Sequence, residues 1–375
     1  MSLKELPAYA RIELDVVGAE GCELLLADGT RVLDLYGGHC VNTLGAGDKG
    51  LGAALSRQWN ALSFTTNLLD TESRDEYNAA LAPLLPLGDW QIFCSNSGAE
   101  ANENALKLAL AATGREGVVC FAGAFHGRTA AAAAVTDPRT PGFPSAPFKV
   151  TRNMWGSLEE IDESTAACIL EPIQSLAGVI APPAGFLEAL RAKCDETGAL
   201  LIFDEVQTGN GRLGVPFAAQ HFGVIPDVIT TAKGAASGFP LGLTLAQTEA
   251  AERAPSNLFG STFGGGPLAM VAATETAKRL SSPGFLDGVR AAGAAFAKCA
   301  GVGPVTAVRG AGLLLGLELC DGVTAKEVRD ALLTQGVLVG TCWDPKIVRL
   351  SPPLIVTPAH AEQLKGALAN LEVSA

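Results

Sequence analysis

The sequence predicts an α/β fold, with a large domain whose mainly parallel sheet lies between helices and a small α+β domain after it. Three observations carry that expectation. From about residue 90, short apolar runs alternate with helix-length segments, the pattern of a parallel sheet covered on both faces. Two runs end in reactive residues: Leu200–Phe203 leads into Asp204, Glu205 and Gln207, and Val228–Thr231 leads to Lys233 ahead of Gly234 and Gly238. From about residue 265 the composition shifts to alanine-rich helix.

The elements follow in order. Residues 1–45 read as an N-terminal arm and hairpin packing with the small domain. Two short strands flank Ala27-Asp28-Gly29-Thr30, a tight-turn signal. The large domain is expected over 46–264, and 52–62 reads as its first helix. Ile92–Cys94 reads as a strand. Ser97-Gly98-Ala99-Glu100 then reads as a capping box, opening a helix that ends at Gly114. Strands follow at Gly117–Phe121 and Ala166–Leu170, the second ending in Glu171. Ala130–Val135 is small and apolar with no assigned type. A helix over 185–197 stops at Gly198, and Leu241–Leu245 closes the strand series. The small domain, 265–375, carries a second capping box at Thr324 and Glu327. Val337–Val339 and Val348–Leu350 read as strands, and Thr357-Pro358 opens a last helix.

Composition excludes several classes. The 375 residues are 48% hydrophobic and 18% charged, which suits a globular chain with a large core. A net charge of −12 without any Lys/Arg run disfavours nucleic acid and anionic membrane as partners. The nine cysteines are scattered, odd in number and without a CxxC pair, which favours a reducing cytoplasm over a disulfide framework. The four histidines lack HxxxH spacing, so no metal site is expected. The first residues, MSLKELPAYARIELDV, lack the apolar core of a signal peptide. No GxGxxG opens a helix after a strand with an acid about 20 residues on, and GxxxxGK[ST] and GxSxG signatures are missing, which sets aside nucleotide binding and serine hydrolysis.

An acid at one strand end and a lysine at a later one is the pair that pyridoxal-phosphate chemistry needs. The lysine forms an imine with the cofactor, and the carboxylate keeps the pyridine nitrogen protonated. Ser97-Gly98-Ala99, between a strand and a helix, offers free backbone N–H groups to a phosphate, although an ordinary capped helix carries the same letters. In Gly123–Thr129, Phe125 suits stacking on a planar ring and Arg128 suits a carboxylate. Gly260–Pro267 is a second glycine-rich, hydroxyl-bearing loop around Thr262, and it reads equally as a hinge. Arg349 ends a strand before Ser351-Pro352-Pro353 and reads as either a second clamp or a solvated arginine.

Taken together, DEVQTGNGR, a lysine 29 positions after Asp204, SNSGAEAN, FHGRT, STFGG and VRLSPP resemble the class III aminotransferases over nearly the whole chain. These are pyridoxal-phosphate enzymes of fold type I. The resemblance implies that Lys233 holds pyridoxal 5'-phosphate covalently and moves the proton, and that Asp204 pairs with the pyridinium. It implies that Gln207 bonds the ring oxygen, that Ser97, Gly98 and Ala99 hold the phosphate, and that Phe125 stacks on the ring. Thr262 would reach the phosphate of a neighbouring subunit, which makes the enzyme a homodimer. Arg128 and Arg349 would bind substrate carboxylates.

The implied reaction moves the δ-amino group of an N-acylated ornithine, N2-acetylornithine first, to 2-oxoglutarate, in arginine biosynthesis. Succinylornithine, an acylated lysine, GABA or ornithine, and a glutamate-1-semialdehyde-type aminomutase are the alternatives. Four features depart from the family: Ala99 lacks a hydroxyl, the family's GGNP reads Gly264-Gly265-Gly266-Pro267, the chain is somewhat short, and Leu176 replaces a glutamate that pairs with the arginine matching Arg349. Another acid, a bound anion or ordered water is therefore expected beside Arg349.

Overall fold

A computed structural model describes residues 6, 8 and 10–371. The part of the expected N-terminal arm at residues 1–5, 7 and 9 lies outside them. The core is a seven-stranded sheet in the order Trp90–Ser95, Gly242–Gln247, Val228–Thr231, Leu200–Asp204, Thr165–Leu170, Gly117–Phe121, Lys149–Asn153. Its three central strands are buried residue by residue, because helices cover both faces. This is why they read as unbroken apolar runs rather than alternating ones.

The sheet is parallel except for Gly242–Gln247, which runs against both neighbours. Only a short 3-10 turn, Lys233–Ala236, lies between it and the preceding Val228–Thr231 strand. That segment is too short for a helical crossover, so the chain must turn back. The helix Gly98–Thr113 buries Ala101, Ala105, Leu106, Leu108 and Ala109. It packs on Gly242–Gln247 and Val228–Thr231 and ends, as expected, on a left-handed Gly114. Ala130–Val135, left without a type above, is a helix, and the Phe186–Thr197 helix stops at left-handed Gly198.

Two smaller sheets flank this core. Glu23–Leu26 and Arg31–Asp34 form the expected antiparallel hairpin, Val16–Glu20 adds an unanticipated antiparallel strand, and Val337–Leu338 joins them in parallel. Val305–Ala311, Leu314–Leu319, Ile347–Leu350 and Gly340–Thr341 form the other. The pairing of residues 31–34 with 337–338 supports our proposal that 1–45 packs with a 265–375 domain, leaving 46–264 as the large domain. The helix Glu72–Leu81 and the strands Lys149–Asn153, Val305–Ala311 and Leu314–Leu319 were not anticipated. Their apolar residues are few or interrupted by polar ones, and only their neighbours define them.

Glycine is forced where the sheet meets the Gly98–Thr113 helix. A Cβ on Gly242 would collide with the Ser97 carbonyl oxygen, whereas one on Gly366, exposed in the Pro358–Ala369 helix, would meet nothing. Gly242→Ala is expected to destabilise the protein by about 1–3 kcal/mol through overpacking, and Gly366→Ala to stabilise it by roughly 0.5–1 kcal/mol through helix propensity. Urea titration of both variants, read by circular dichroism, checks the opposite signs.

Candidate active site

The carboxyl ends of the parallel strands converge on a cavity of about 480 Å³. Ser97, Gly98 and Ala99 reach it after the first strand of the sheet, Phe125 and Arg128 after Gly117–Phe121, Asp204 and Gln207 after Leu200–Asp204, and Lys233 after Val228–Thr231. Asn102, His126 and Glu171 also line it. Thr262 and Arg349 are not among its lining residues: Thr262 is exposed on its loop, and Arg349 is buried beside Ser175, which bonds the lining Gln207, with its charge felt at Lys233.

Asp204 is the most constrained group. Its Oδ2 accepts hydrogen bonds from Asn102 Nδ2 and His126 Nδ1, each at 2.7 Å, and its Oδ1 accepts from Val206 N at 3.0 Å. Asn102 is itself fixed, donating to His126 O at 2.7 Å and accepting from Thr230 Oγ1 at 2.6 Å. Successive residues leave a strand in opposite directions. Glu205 therefore turns away from the cavity and accepts from Ala218 N, Ala219 N and Thr208 Oγ1, tying the following loop to the Ala218–Phe222 helix. Of the two acids at this strand end, one serves the cavity and one the scaffold.

Lys233 sits at φ 44°, a left-handed conformation that a lysine adopts only under constraint. Burial lowers the pKa of its amine from the usual lysine value, against the opposing effects of the Cys40 thiol and Asp204. A neutral amine is the nucleophilic form. At the phosphate end, Ser97 Oγ caps the helix by accepting from Glu100 N at 3.2 Å, and Glu100 reaches back to Asn96 N at 2.7 Å. These caps leave the Gly98 and Ala99 N–H groups for an anion. The site therefore offers a reactive amine, a fixed carboxylate and a helix N-terminus around one cavity, which is the donor set that pyridoxal phosphate requires.

Gln207 Oε1 accepts from Ser175 Oγ at 3.1 Å, which leaves the amide NH₂ free to donate into the cavity. Arg128 lies with its guanidinium 5.0 Å from the centre of the Phe125 ring. Arg349, only 2% exposed, donates to Ser175 Oγ at 3.0 Å and to Tyr36 Oη at 2.9 Å. No acid among the described residues forms an ion pair with it, so the substitute for the missing glutamate is a pair of hydroxyls and not another carboxylate.

Asn102, His126, Glu171, Ser175 and Tyr36 were not singled out from the sequence. Asn102 lies inside the SNSGAEAN segment and His126 inside FHGRT, but their contacts cross 78 to 102 positions of chain.

Comparison with known proteins fixes the family. The class-III aminotransferase model matches residues 7–371. The chain belongs to the class III aminotransferases. It is 40% identical over 373 residues to the acetylornithine aminotransferase of Mycobacterium tuberculosis, covering 96% of this chain and 92% of that protein. It is also 40% identical to that of Streptomyces coelicolor, covering 97% and 92%. Among solved structures it is similar to the ornithine aminotransferase of Toxoplasma gondii, with a TM-score of 0.88, 26% identity and coverage of 97% and 90%; PLP is reported at that protein's active site. The fold is thus that of the fold type I enzymes, as expected.

Glu171 sets a pH dependence. Burial, then the charge of Asp204, raises its carboxyl from 4.5 to about 7, against the backbone donors Phe125 N and Ser175 N. Between those values only the folded protein keeps the proton, so this group makes folding less favourable as pH rises through 4.5 to 7. Glu171→Gln removes the effect. In the cofactor-free protein its unfolding free energy is expected to gain about 3 kcal/mol on the parent between pH 5 and pH 8, measured by urea titration at both pH values.

Proposed function

We propose that this enzyme transfers the δ-amino group of an N-acylated ornithine, N2-acetylornithine first, to 2-oxoglutarate. The products are N-acetylglutamate 5-semialdehyde and glutamate, a step of arginine biosynthesis. The observation that carries the proposal is near-full-length similarity to acetylornithine aminotransferases in a chain whose cavity joins Lys233 to a fixed Asp204. The cofactor is pyridoxal 5'-phosphate, which supplies an electron sink beside the substrate amine when bound.

The residues divide the work. Lys233 Nζ would hold the cofactor, and its amine would take and return the proton at the substrate carbon that bears the amino group. Asp204, oriented by Asn102 and His126, holds positive charge at the pyridine nitrogen. Gly98 and Ala99 N–H and the Ser97 end of the helix hold the phosphate. The Gln207 amide would donate to the ring oxygen, and Phe125 would stack on the ring. Arg128, exposed at the mouth, takes the carboxylate of the amino donor, and Arg349 takes the α-carboxylate of glutamate.

A homodimer completes the reading. Thr262 is exposed rather than turned into its own cavity. Beside it Phe263 is 67% exposed and Phe64 43%, with the two rings 5.5 Å apart. An apolar face of that kind, on the loop expected to reach a neighbouring site, suits burial against a second copy. Sedimentation is expected to give twice the chain mass, and a monomer at micromolar concentration would overturn this part. No helix among the described residues is long and apolar enough to cross a membrane. All nine cysteines are free, in keeping with the cytoplasm.

The half-reactions test the substrate. The purified coloured enzyme is mixed separately with N-acetylornithine, N-succinylornithine, ornithine, GABA and glutamate, and loss of the visible absorbance is followed. Rapid loss with glutamate and N-acetylornithine is expected. Loss with the succinyl compound instead reassigns the acyl group, and no loss with glutamate favours an aminomutase. Lys233→Ala is expected to lack both the visible band and turnover.

A further inference from the structure

A buried arginine is almost always paired with an acid, and no acid among the described residues pairs with Arg349. Among those residues its Nε is buried without a partner, and its Nη1 and Nη2 meet only the hydroxyls of Ser175 and Tyr36. Both hydroxyls have their hydrogens committed elsewhere. Ser175 Oγ donates to Gln207 Oε1 at 3.1 Å, and Tyr36 Oη lies 2.5 Å from Nδ1 of His39. Burial, followed by the charges of Arg349, Lys233 and Arg128, lowers the pKa of His39, and the tautomer that leaves Nδ1 as an acceptor takes the Tyr36 hydroxyl hydrogen. Each hydroxyl therefore presents a lone pair to Arg349 and brings no negative charge.

The surroundings are shaped around this arrangement. The Tyr36 ring fills the space that a side chain on Gly340 would need, and Gly340 is the cross-strand neighbour of Arg349. Ser351 Oγ donates to Tyr36 O at 2.8 Å, and Asp34 Oδ1 accepts from Tyr36 N at 2.9 Å and Gly37 N at 2.8 Å. Gly37, Gly38, His39 and Cys40 then take four successive positive φ angles of 58° to 70°, two of them at residues with side chains. That strained turn folds the His39 ring back to 4.6 Å from the Tyr36 ring.

We propose that Tyr36 and Ser175, with His39 behind Tyr36, form a neutral cradle that fixes the Arg349 guanidinium without cancelling its charge, so that these positioning residues select the dicarboxylic partner of the reaction. This rests on Arg349 being the clamp for the glutamate α-carboxylate. A carboxylate in the same place would fix the arginine equally well but would compete with the substrate for it.

The test uses the holoenzyme and four variants, Tyr36→Phe, Ser175→Ala, Ser175→Asp and Arg349→Ala. The readouts are the KM and kcat of the glutamate and N-acetylornithine half-reactions, and calorimetric binding of glutarate, a dicarboxylate with no amine to react. Tyr36→Phe and Ser175→Ala are expected to raise the glutamate KM and weaken glutarate by roughly five- to tenfold, with the N-acetylornithine KM unchanged. Ser175→Asp is expected to weaken both by on the order of a hundredfold. Ser175→Ala also frees the Gln207 amide, so Tyr36→Phe, which does not touch Gln207, is the cleaner arm.

If Arg349→Ala leaves glutamate and glutarate unaffected, the clamp reading itself is wrong. If Arg349→Ala weakens them while Tyr36→Phe and Ser175→Asp do not, the cradle alone is overturned. An equal loss of kcat for both amino donors with KM unchanged would make the role structural and would also overturn it.

Discussion

The hydrogen bonds that hold the Asp204 carboxylate are the constraint around which the site is arranged. A carboxylate at the end of a buried strand is costly unless its lone pairs are used. Three donors use them here, from Asn102, His126 and the Val206 backbone. Each donor comes from a different part of the sheet edge: the Gly98–Thr113 helix, the loop after Gly117–Phe121, and the turn after Asp204 itself. Moving any one of these elements would take one of three donors from a buried charge. The same pairings bring the helix N-terminus at Gly98 and the loop carrying Phe125 and Arg128 to one cavity. Lys233 arrives on the neighbouring strand, paired with the Asp204 strand in register.

Charge is distributed with economy over this region. Glu171 and Glu205 are both buried and both pushed up to about 7 by burial, yet they act differently. Glu171 borders the cavity and meets the Phe125 and Ser175 backbone, whereas Glu205 ties the next loop to a helix. On the other side the Arg349 guanidinium meets two hydroxyls and no acid among the described residues. The cavity thus has a fixed anion where a pyridinium would lie and an uncancelled cation beyond Gln207, a polarity that suits an amino acid bearing a second carboxylate.

Much of the site was legible because its residues sit at strand ends. Asp204, Gln207 and Lys233 follow apolar runs, and Ser97 to Ala99 open a helix with a recognisable cap. The residues that were missed act across distance. Asn102 looks like one polar residue in a helix, and only the Thr230 and Asp204 contacts give it a role. Tyr36 and Ser175 lie 139 positions apart in the chain and meet on one guanidinium. The single antiparallel strand, Gly242–Gln247, was also hidden, since an apolar run carries no direction.

The sequence alone determined the alternation of strands and helices, the acid and lysine at strand ends, and the family, because apolar period, capping residues and motif order are local properties. The tertiary structure decided which partner each polar group meets. It turned Glu205 away from Asp204, set Thr262 outside its own cavity, and answered the loss of a glutamate at Leu176 with two hydroxyls instead of another acid. The physical reason is that hydrogen-bond partners are set by the packing of segments far apart in the chain, and a neutral acceptor and an acid satisfy the same donor while leaving different charges behind.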